Sequence, residues 1–184
     1  MLAVGRLQAQ KGFDLLLQAW QTVIRQLPEA RLRIVGGGPL EDELAALARS
    51  LGVEASVELV APTEQIEPLY RESAVFVLSS RYEGMPLALL EAQALGVPAV
   101  AFDCPTGPSE ILSEDTGVLV PSADVPALAQ ALLRLLRDPA LRARMGAAAI
   151  ARDREVFSRA RQVGAWAALI DEVADAAGPP PPVR

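Results

Sequence analysis

Apolar residues follow two alternating patterns along the first two thirds of the chain. Short runs of Val, Ile, Leu and Ala alternate with segments in which apolar residues recur every three or four positions. The runs predict strands at 1–4, 31–35, 56–60, 74–78, 97–102 and 117–120, and the segments between them predict helices at about 13–27, 39–51, 63–72, 86–95 and 108–112. Strands that are apolar throughout and alternate with helices indicate right-handed crossovers. The predicted fold is α/β, a doubly wound parallel sheet.

The last third of the chain is helical in pattern. Apolar spacing predicts extra C-terminal helices at about 124–137, 139–152 and 158–176. In the sheet region, Pro39 is expected in the first turn of the helix predicted at about 39–51. Four consecutive prolines in 177–184 predict a disordered or polyproline tail. The 184 residues, 51% of them apolar, fit one domain at 1–176 followed by this tail.

Composition restricts the functions that the chain can perform. Histidine is absent, which excludes Ser-His-Asp and Cys-His catalysis and His-ligated metal sites. The formal net charge of −6 argues against general binding to nucleic acid or anionic lipid. No stretch reaches the ~20 apolar residues of a membrane-spanning helix, no basic and apolar leader opens the sequence, and Cys104 has no second cysteine to pair with. These features predict a soluble, cytoplasmic protein.

The loops at the carboxyl ends of the predicted strands are the candidate site, because ligands of open parallel sheets bind there. Arg6 and Lys11, the only lysine, follow the first strand and suit phosphate oxygens; the alternative is a pair of solvated loop residues. The glycines at 36–38 allow close backbone approach to an anion; the alternative is a tight turn. They are not a dinucleotide-binding fingerprint, because Glu41 occupies the place of its third glycine.

Two carboxylates accompany the helix predicted at 86–95. Helical spacing places Glu91 on one face with Leu87 and Ala94, so we expect an inward carboxylate that needs hydrogen-bond donors. Ligand hydroxyls are one source of donors, and an arginine or backbone amides are the structural alternative. Glu83 precedes the helix, beside the free amides and partial positive charge of its N-terminus.

These segments together resemble a known family. The sequence carries V-G-R-L at 4–7 with K-G at 11–12, I-V-G-G-G-P at 34–39, E-G-M-P-L-A-L-L-E-A at 83–92, G-P-S-E-I at 107–111 and G-V-L-V-P at 117–121. In this order, over about residues 2–175, they resemble the retaining GT-B glycosyltransferases of the group 1, or family 4, type. The resemblance implies the C-terminal, donor-binding half of a GT-B enzyme, with a Rossmann-like fold.

The resemblance also assigns roles to residues. Arg6 and Lys11 would hold the donor diphosphate and stabilise its charge as it departs. Glu83 would bind a hydroxyl of the transferred sugar, and Glu91 would bind the nucleotide ribose. Other positions that would shape the donor pocket are Gly5, Gly37, Gly84, Met85, Pro86 and Leu87. The family needs no metal and no cofactor, and the donor would be a sugar linked to UDP or GDP.

The leading hypothesis is therefore the donor-binding half of a transferase that moves a hexose from a nucleotide-diphosphate sugar to a glycan or lipid-linked acceptor with retention. In the family an N-terminal half supplies the acceptor site. Because the chain starts at the first strand of the donor domain, we expect it to be inactive alone and to self-associate through the apolar stripe of its last helix. Any peripheral position at the inner face of the membrane would depend on that missing half.

Three alternatives accompany this hypothesis. The chain could be a non-catalytic module or fragment that binds a sugar nucleotide. It could be a GT-B sugar-nucleotide epimerase, which the lack of histidine weakens, or a dinucleotide oxidoreductase, which Glu41 argues against.

Overall fold

The structure, a computed structural model, describes residues 1–177. Its strands are β1 (Leu2–Val4), β2 (Leu32–Val35), β3 (Val57–Val60), β4 (Phe76–Leu78), β5 (Ala99–Asp103) and β6 (Gly117–Pro121). Its α-helices are α1 (Phe13–Gln26), α2 (Glu41–Ser50), α3 (Glu67–Arg71), α4 (Leu87–Ala94), α5 (Pro108–Ile111), α6 (Val125–Arg137), α7 (Pro139–Arg152) and α8 (Arg159–Ala177). The predicted tail lies outside the described residues, apart from Ala177.

The strands form one parallel sheet in the order β3-β2-β1-β4-β5-β6. The chain winds outward from β1 to β3 and then returns to the centre, where β4 pairs with β1 through Leu2 and Phe76. This order confirms the predicted doubly wound, Rossmann-like sheet. The strand order reverses between β1 and β4: the chain adds strands on one side of β1 and then on the other. Sheets of this kind bind ligands in the crevice beyond the carboxyl ends of the two strands at such a point.

Apolar side chains cover both faces of the sheet. On one face α1 and α6 pack around Trp20, whose indole N–H donates to Ser56 Oγ at 2.9 Å. On the other face α4 packs over Tyr70 and Phe76, whose ring centroids lie 5.7 Å apart. Burial on both faces is why the strands carry continuous apolar runs rather than alternating ones.

Two helices begin later than the sequence predicts. The α3 helix covers five residues rather than 63–72, and at the predicted start Thr63 Oγ1 accepts the Gln65 N–H. This local hydrogen bond competes with helical bonding. The α2 helix begins at Glu41, so Pro39 is not in its first turn; Leu40 N–H instead donates to Leu7 O at 3.1 Å. Both changes lengthen loops at the carboxyl edge of the sheet.

The C-terminal segment contains the three predicted helices. A π-helical turn that the pattern did not predict, Asp153–Phe157, separates α7 from α8. The α8 helix presents an apolar stripe that we define by Val163, Trp166, Leu169, Ile170 and Val173, each between 48% and 64% exposed. Among the described residues, no helix has both the length and the apolar content needed to span a bilayer.

Candidate functional site

Hydrogen bonds join the loops after β1 and β4 at the point where the strand order reverses. Arg81 N–H donates to Gln10 O at 2.8 Å, and the Gln10 side-chain amide donates back to Tyr82 O at 3.0 Å. Ser79 Oγ donates to Lys11 O at 2.9 Å. We call this region, residues 9–14 and 79–83, the loop junction. It fixes the backbone positions from which the predicted site residues project.

An ion pair that the sequence analysis did not identify closes one side of the loop junction. The Arg81 guanidinium donates to both carboxylate oxygens of Asp14, at 2.8 and 2.7 Å, and also to Ala9 O at 2.7 Å. Such a bidentate pair holds both side chains in one geometry. Its hydrogen bond is the main reason that the pKa of Asp14 lies below its usual value.

Lys11 and Glu83 meet on the other side of the loop junction. Lys11 Nζ donates to Glu83 Oε1 at 2.7 Å, and Ser80 Oγ donates to the same oxygen at 2.6 Å. The Lys11 side chain passes over Gly5, where a Cβ would lie 3.1 Å from Lys11 Cδ and Cε. Glycine at this position therefore leaves room for the lysine to reach the carboxylate. Glu83 is only 9% exposed, so its charge depends on these partners.

The loop after β5 supports the turn that carries Glu83. Thr106 Oγ1 donates to Glu83 O, and Glu83 N–H donates to Pro105 O at 3.3 Å. Gly107 has φ of 90°, and a Cβ there would lie 2.5 Å from Pro86 Cδ. Glycine is required at this position for both its conformation and the contact. The turn before α4 is thus held from two sides.

The exposed part of that turn includes three of the predicted pocket positions. Gly84 is exposed, and the side chains of Met85 and Leu87 are 50% and 64% exposed, whereas Pro86 is buried. Nearby, Cys104 is buried, and burial followed by the negative charge of Glu83 raises the pKa of its thiol. A thiol in this state is a poor nucleophile at neutral pH.

The predicted inward orientation of Glu91 is wrong. Glu91 does share a face with Leu87 and Ala94, but that face is exposed, and α4 packs on the sheet through Leu89, Ala92 and Gln93. Periodicity identified which residues share a face and not which face is buried. The donor to the carboxylate is also of a type that was not anticipated. The hydroxyl of Tyr70 donates to Glu91 Oε2 at 2.9 Å.

A cleft of about 300 Å³ lies beyond the carboxyl ends of β1 and β2. It brings Arg6 and Glu91 together with three of the glycines named in the sequence analysis, Gly5, Gly36 and Gly37. Its lining consists of Val4, Gly5, Arg6, Val35, Gly36, Gly37, Pro62, Thr63, Ile66 and Glu91. The Arg6 side chain is exposed and makes no hydrogen bond to any other residue in the part of the chain that is described. The cleft therefore has a cation and a carboxylate available to a ligand.

The glycine triplet has both a packing role and a position in the cleft. A Cβ on Gly36 would lie 1.9 Å from Gly5 O, and one on Gly38 would lie 2.6 Å from Leu7 O. These two glycines let the loops after β1 and β2 approach each other closely. Gly37 would contact only the side chain of Pro62, at 3.2 Å. The close packing of Gly36 and Gly38 fits the alternative of a tight turn, and anion binding at the triplet stays a prediction.

Four residues of this region were given no role by the sequence analysis: Asp14, Tyr70, Ser80 and Arg81. Ser80 and Arg81 lie in the loop that begins after β4, so their position at the ligand edge was a usable signal. Tyr70 carries no local signal, since it reaches Glu91 only because α3 packs beside α4.

The arrangement offers cations for an anionic group and carboxylates for hydroxyl groups on one edge of the sheet. Arg6 and Lys11 supply the cations, and Glu83 and Glu91 supply the acceptors. In residues 1–177, no three acidic or thiol side chains cluster in a way that could hold a metal ion. The chemistry available is electrostatic binding of a phosphate-bearing polyhydroxyl ligand.

Comparison with known proteins gives relatives whose names include several glycosyltransferases. The chain is 45% identical over 115 residues to the amylovoran biosynthesis glycosyltransferase AmsD of Erwinia amylovora, covering 62% of this chain and 32% of that protein. It is 35% identical over 157 residues to a GDP-mannose-dependent alpha-(1-6)-phosphatidylinositol monomannoside mannosyltransferase of Mycolicibacterium smegmatis, covering 80% and 41%. The chain thus spans about a third to two fifths of the length of these relatives.

A solved structure is similar to this chain in fold. A mutant of S. aureus TarM, in complex with fondaparinux, alpha-GlcNAc-glycerol and UDP, superposes with a TM-score of 0.87 and 26% identity, over 91% of this chain and 34% of that one. The family model described as glycosyl transferases group 1 matches residues 1–152. Because that match covers most of the chain, including the loop junction and the cleft, the chain belongs to the group 1 glycosyl transferases.

Proposed function

We propose that the chain is the donor-binding half of a retaining glycosyltransferase, which transfers a hexose from a nucleotide-diphosphate sugar to a glycan or lipid-linked acceptor. The observation that carries the proposal is the convergence of Arg6, Lys11, Glu83 and Glu91 on the edge where the sheet reverses direction. Arg6 and Glu91 line one cleft, and Lys11 and Glu83 form an ion pair at the loop junction. A sugar nucleotide needs this combination of cations and hydroxyl acceptors.

Each part of the proposed donor has a complementary group. The diphosphate would lie between Arg6 and Lys11, near the N-terminus of α4, whose free amides favour negative charge. The transferred sugar would contact Glu83, and the ribose would contact Glu91. Backbone at Gly5, Gly37, Gly84, Met85, Pro86 and Leu87 would shape the pocket, and Pro86 has no N–H to donate.

The proposed chemistry is charge stabilisation on the leaving group. As the bond from the sugar to the diphosphate breaks, negative charge grows on the diphosphate, and fixed cations stabilise it without reorganising. No side chain of the chain is needed as a covalent nucleophile. We propose that no metal ion participates, because Arg6, Lys11 and the α4 amides already supply positive charge.

The nucleotide of the proposed donor is UDP or GDP. TarM was crystallised with UDP, and the Mycolicibacterium smegmatis relative is named for GDP-mannose. Calorimetric titration of the purified chain with UDP, GDP and their hexose conjugates, with and without excess EDTA, distinguishes the two. We expect one nucleotide to bind and EDTA to leave its affinity unchanged. No binding of any of these ligands would contradict the proposed function.

The single lysine gives a site-specific test of the same proposal. In protein labelled with ¹³C-lysine, only Lys11 contributes a side-chain Cε signal. We expect the nucleoside diphosphate to shift this signal and the matching nucleoside to leave it nearly in place. An equal shift with both ligands would remove Lys11 from the phosphate site.

Transfer activity separates the enzyme from the alternative of a non-catalytic binding module. We propose that the acceptor site lies in a domain outside these residues, so the chain alone binds donor and transfers no sugar. Activity that appears when the chain is joined to a family N-terminal domain supports the enzyme. Donor binding without activity in any such fusion supports the binding module.

A further inference from the structure

The hydroxyl of Tyr70 lies within hydrogen-bond distance of two acceptors on α4. It is 2.9 Å from Glu91 Oε2 and 3.0 Å from Ala88 O. The Tyr70 side chain is completely buried, and its ring packs at 5.7 Å from Phe76. Its hydroxyl therefore occupies a fixed point beneath the exposed face of α4.

The hydroxyl is a permanent donor. Burial, followed by the charge of Glu91, raises the pKa of the Tyr70 phenol above its usual range, so the group keeps its proton at all ordinary pH values. One proton cannot serve two acceptors fully, and the carboxylate forms the stronger bond of the two. Tyr70 thus holds Glu91 Oε2.

Glu91 borders two clefts. One is the cleft of about 300 Å³ that contains Arg6, and the other, of about 350 Å³, lies between α3 and α4. Glu91 is exposed, and its Oε1 accepts no hydrogen bond from residues 1–177. A glutamate in this position would sample several rotamers if nothing held it, and fixing it on ligand binding would cost conformational entropy. The bond from Tyr70 removes much of that cost in advance.

We propose that Tyr70 is a positioning residue that fixes the carboxylate of Glu91 for recognition of the nucleotide ribose. The proposal rests on the proposed function, in which Glu91 contacts the ribose. Tyr70 touches no ligand itself. Because it acts through Glu91, its hydroxyl contributes to the preference for ribose over deoxyribose and little to affinity for the rest of the nucleotide.

The test compares nucleotides that differ only in the ribose hydroxyls. Calorimetry gives the affinities of UDP, GDP and their 2′-deoxy and 3′-deoxy analogues for the wild-type chain and for the Tyr70→Phe and Glu91→Gln variants. We expect the wild type to prefer ribose. Tyr70→Phe keeps the buried ring and should reduce the ribose preference about three- to tenfold, as expected for one hydrogen bond, while deoxynucleotide affinity is unchanged.

Three further variants make the outcome specific. Glu91→Asp keeps the charge but withdraws the carboxylate from Tyr70, so we expect the same loss of ribose preference even if Tyr70→Phe folds poorly. In a Glu91→Gln background, Tyr70→Phe should have little further effect on that preference. Ser50→Ala removes an exposed hydroxyl at the end of α2, which donates to Leu47 O at 2.8 Å, and should leave the preference unchanged.

The outcomes separate this inference from the proposed function. If the wild type binds neither UDP nor GDP, the proposed function fails. If it binds one of them but Tyr70→Phe weakens ribose and deoxyribose forms equally, Tyr70 is structural and the inference is overturned while the function stands. A wild type that binds without preferring ribose overturns the inference together with the assigned role of Glu91.

Discussion

The ammonium of Lys11 lies 2.7 Å from the carboxylate of Glu83, its partner 72 positions along the chain. Lys11 is the only lysine of the chain, and both side chains are largely withdrawn from water. A ligand diphosphate would therefore meet an ammonium whose charge is already partly neutralised. The two residues that the family resemblance assigns to different parts of the donor interact directly before any ligand arrives.

Replacing Glu83 with Gln should separate the proposed phosphate role of Lys11 from the proposed sugar role of Glu83. The variant keeps an oxygen that accepts from Lys11 but removes the competing charge, so we expect the nucleoside diphosphate to bind about two- to tenfold more tightly, as for one charge interaction of modest strength. The hexose conjugate should gain less, because its sugar loses a charged acceptor. Calorimetry with both ligands checks this. Glu58→Gln, an exposed carboxylate paired with Arg33, is the control and should change neither affinity.

Replacing Lys11 with Ala should weaken phosphate-bearing ligands selectively. The affinity of the nucleoside diphosphate should fall more than that of the nucleoside. The change also leaves the carboxylate of Glu83 with Ser80 as its remaining side-chain donor, so urea unfolding should show a loss of about 1–3 kcal/mol. Arg33→Ala breaks two exposed ion pairs and should cost less than about 1 kcal/mol. Equal weakening of both ligands would contradict the phosphate role.

The pair of Arg81 and Asp14 should give the chain a specific acid sensitivity. The Arg81 hydrogen bond holds the pKa of Asp14 below its usual value, so the folded state keeps this carboxylate charged where the unfolded chain would protonate it. The resulting stabilisation is complete above about pH 4 and is lost as the pH falls further, through the folded-state pKa. Asp14→Asn should therefore be less stable than wild type at pH ~7, and the difference should shrink towards pH ~3.

Urea unfolding of both proteins across that pH range is the measurement. Glu67→Gln, which removes an exposed carboxylate paired with Arg71, should show no such convergence. A difference between Asp14→Asn and wild type that stayed constant down to pH ~3 would mean that the charge of Asp14 is not what stabilises the loop junction.

The apolar stripe of α8 should cause self-association of the isolated chain. The five large apolar side chains of this stripe are all exposed, and a contiguous exposed apolar patch favours association. Sedimentation velocity should show concentration-dependent association, and Trp166→Ser combined with Ile170→Ser should reduce it. Arg161→Ala, elsewhere on the same helix, should not. A wild-type chain that sediments as a monomer at every concentration would refute the expectation.

Much of the fold follows from the sequence because burial on both faces of a parallel sheet leaves continuous apolar runs. All six strands lie within a few residues of their predicted positions, and α7 coincides with its prediction. The predictions are wrong at the starts of α2 and α3, where backbone polar groups hydrogen-bond to partners outside the helix. Thr63 and Leu40 each find a nearby partner that shortens a helix, and apolar periodicity carries no information about such choices.

The candidate site was predictable as a location and less so as a geometry. Arg6, Lys11, Glu83 and Glu91 all lie at the predicted edge, because strand ends of a parallel sheet share one side. The pairing of Lys11 with Glu83, the exposure of Glu91 and its hydrogen bond to Tyr70 depend on how separate elements pack. Contacts between residues 21 or 72 positions apart leave no periodic trace in the sequence.

The single register pair between β1 and β4 has a consequence for how the chain folds. Leu2 and Phe76 alone join the two halves of the sheet, whereas β1 and β2 share three such pairs, as do β4 and β5. Helix α1 of the first half packs against α6 of the second, and joining the halves closes the longest loop of the sheet, at an entropic cost that delays this step. The loop junction lies at the carboxyl ends of β1 and β4, the two strands that this pair joins. On refolding, helical structure should therefore appear first, and the capacity to bind a nucleotide should return only with the slowest phase.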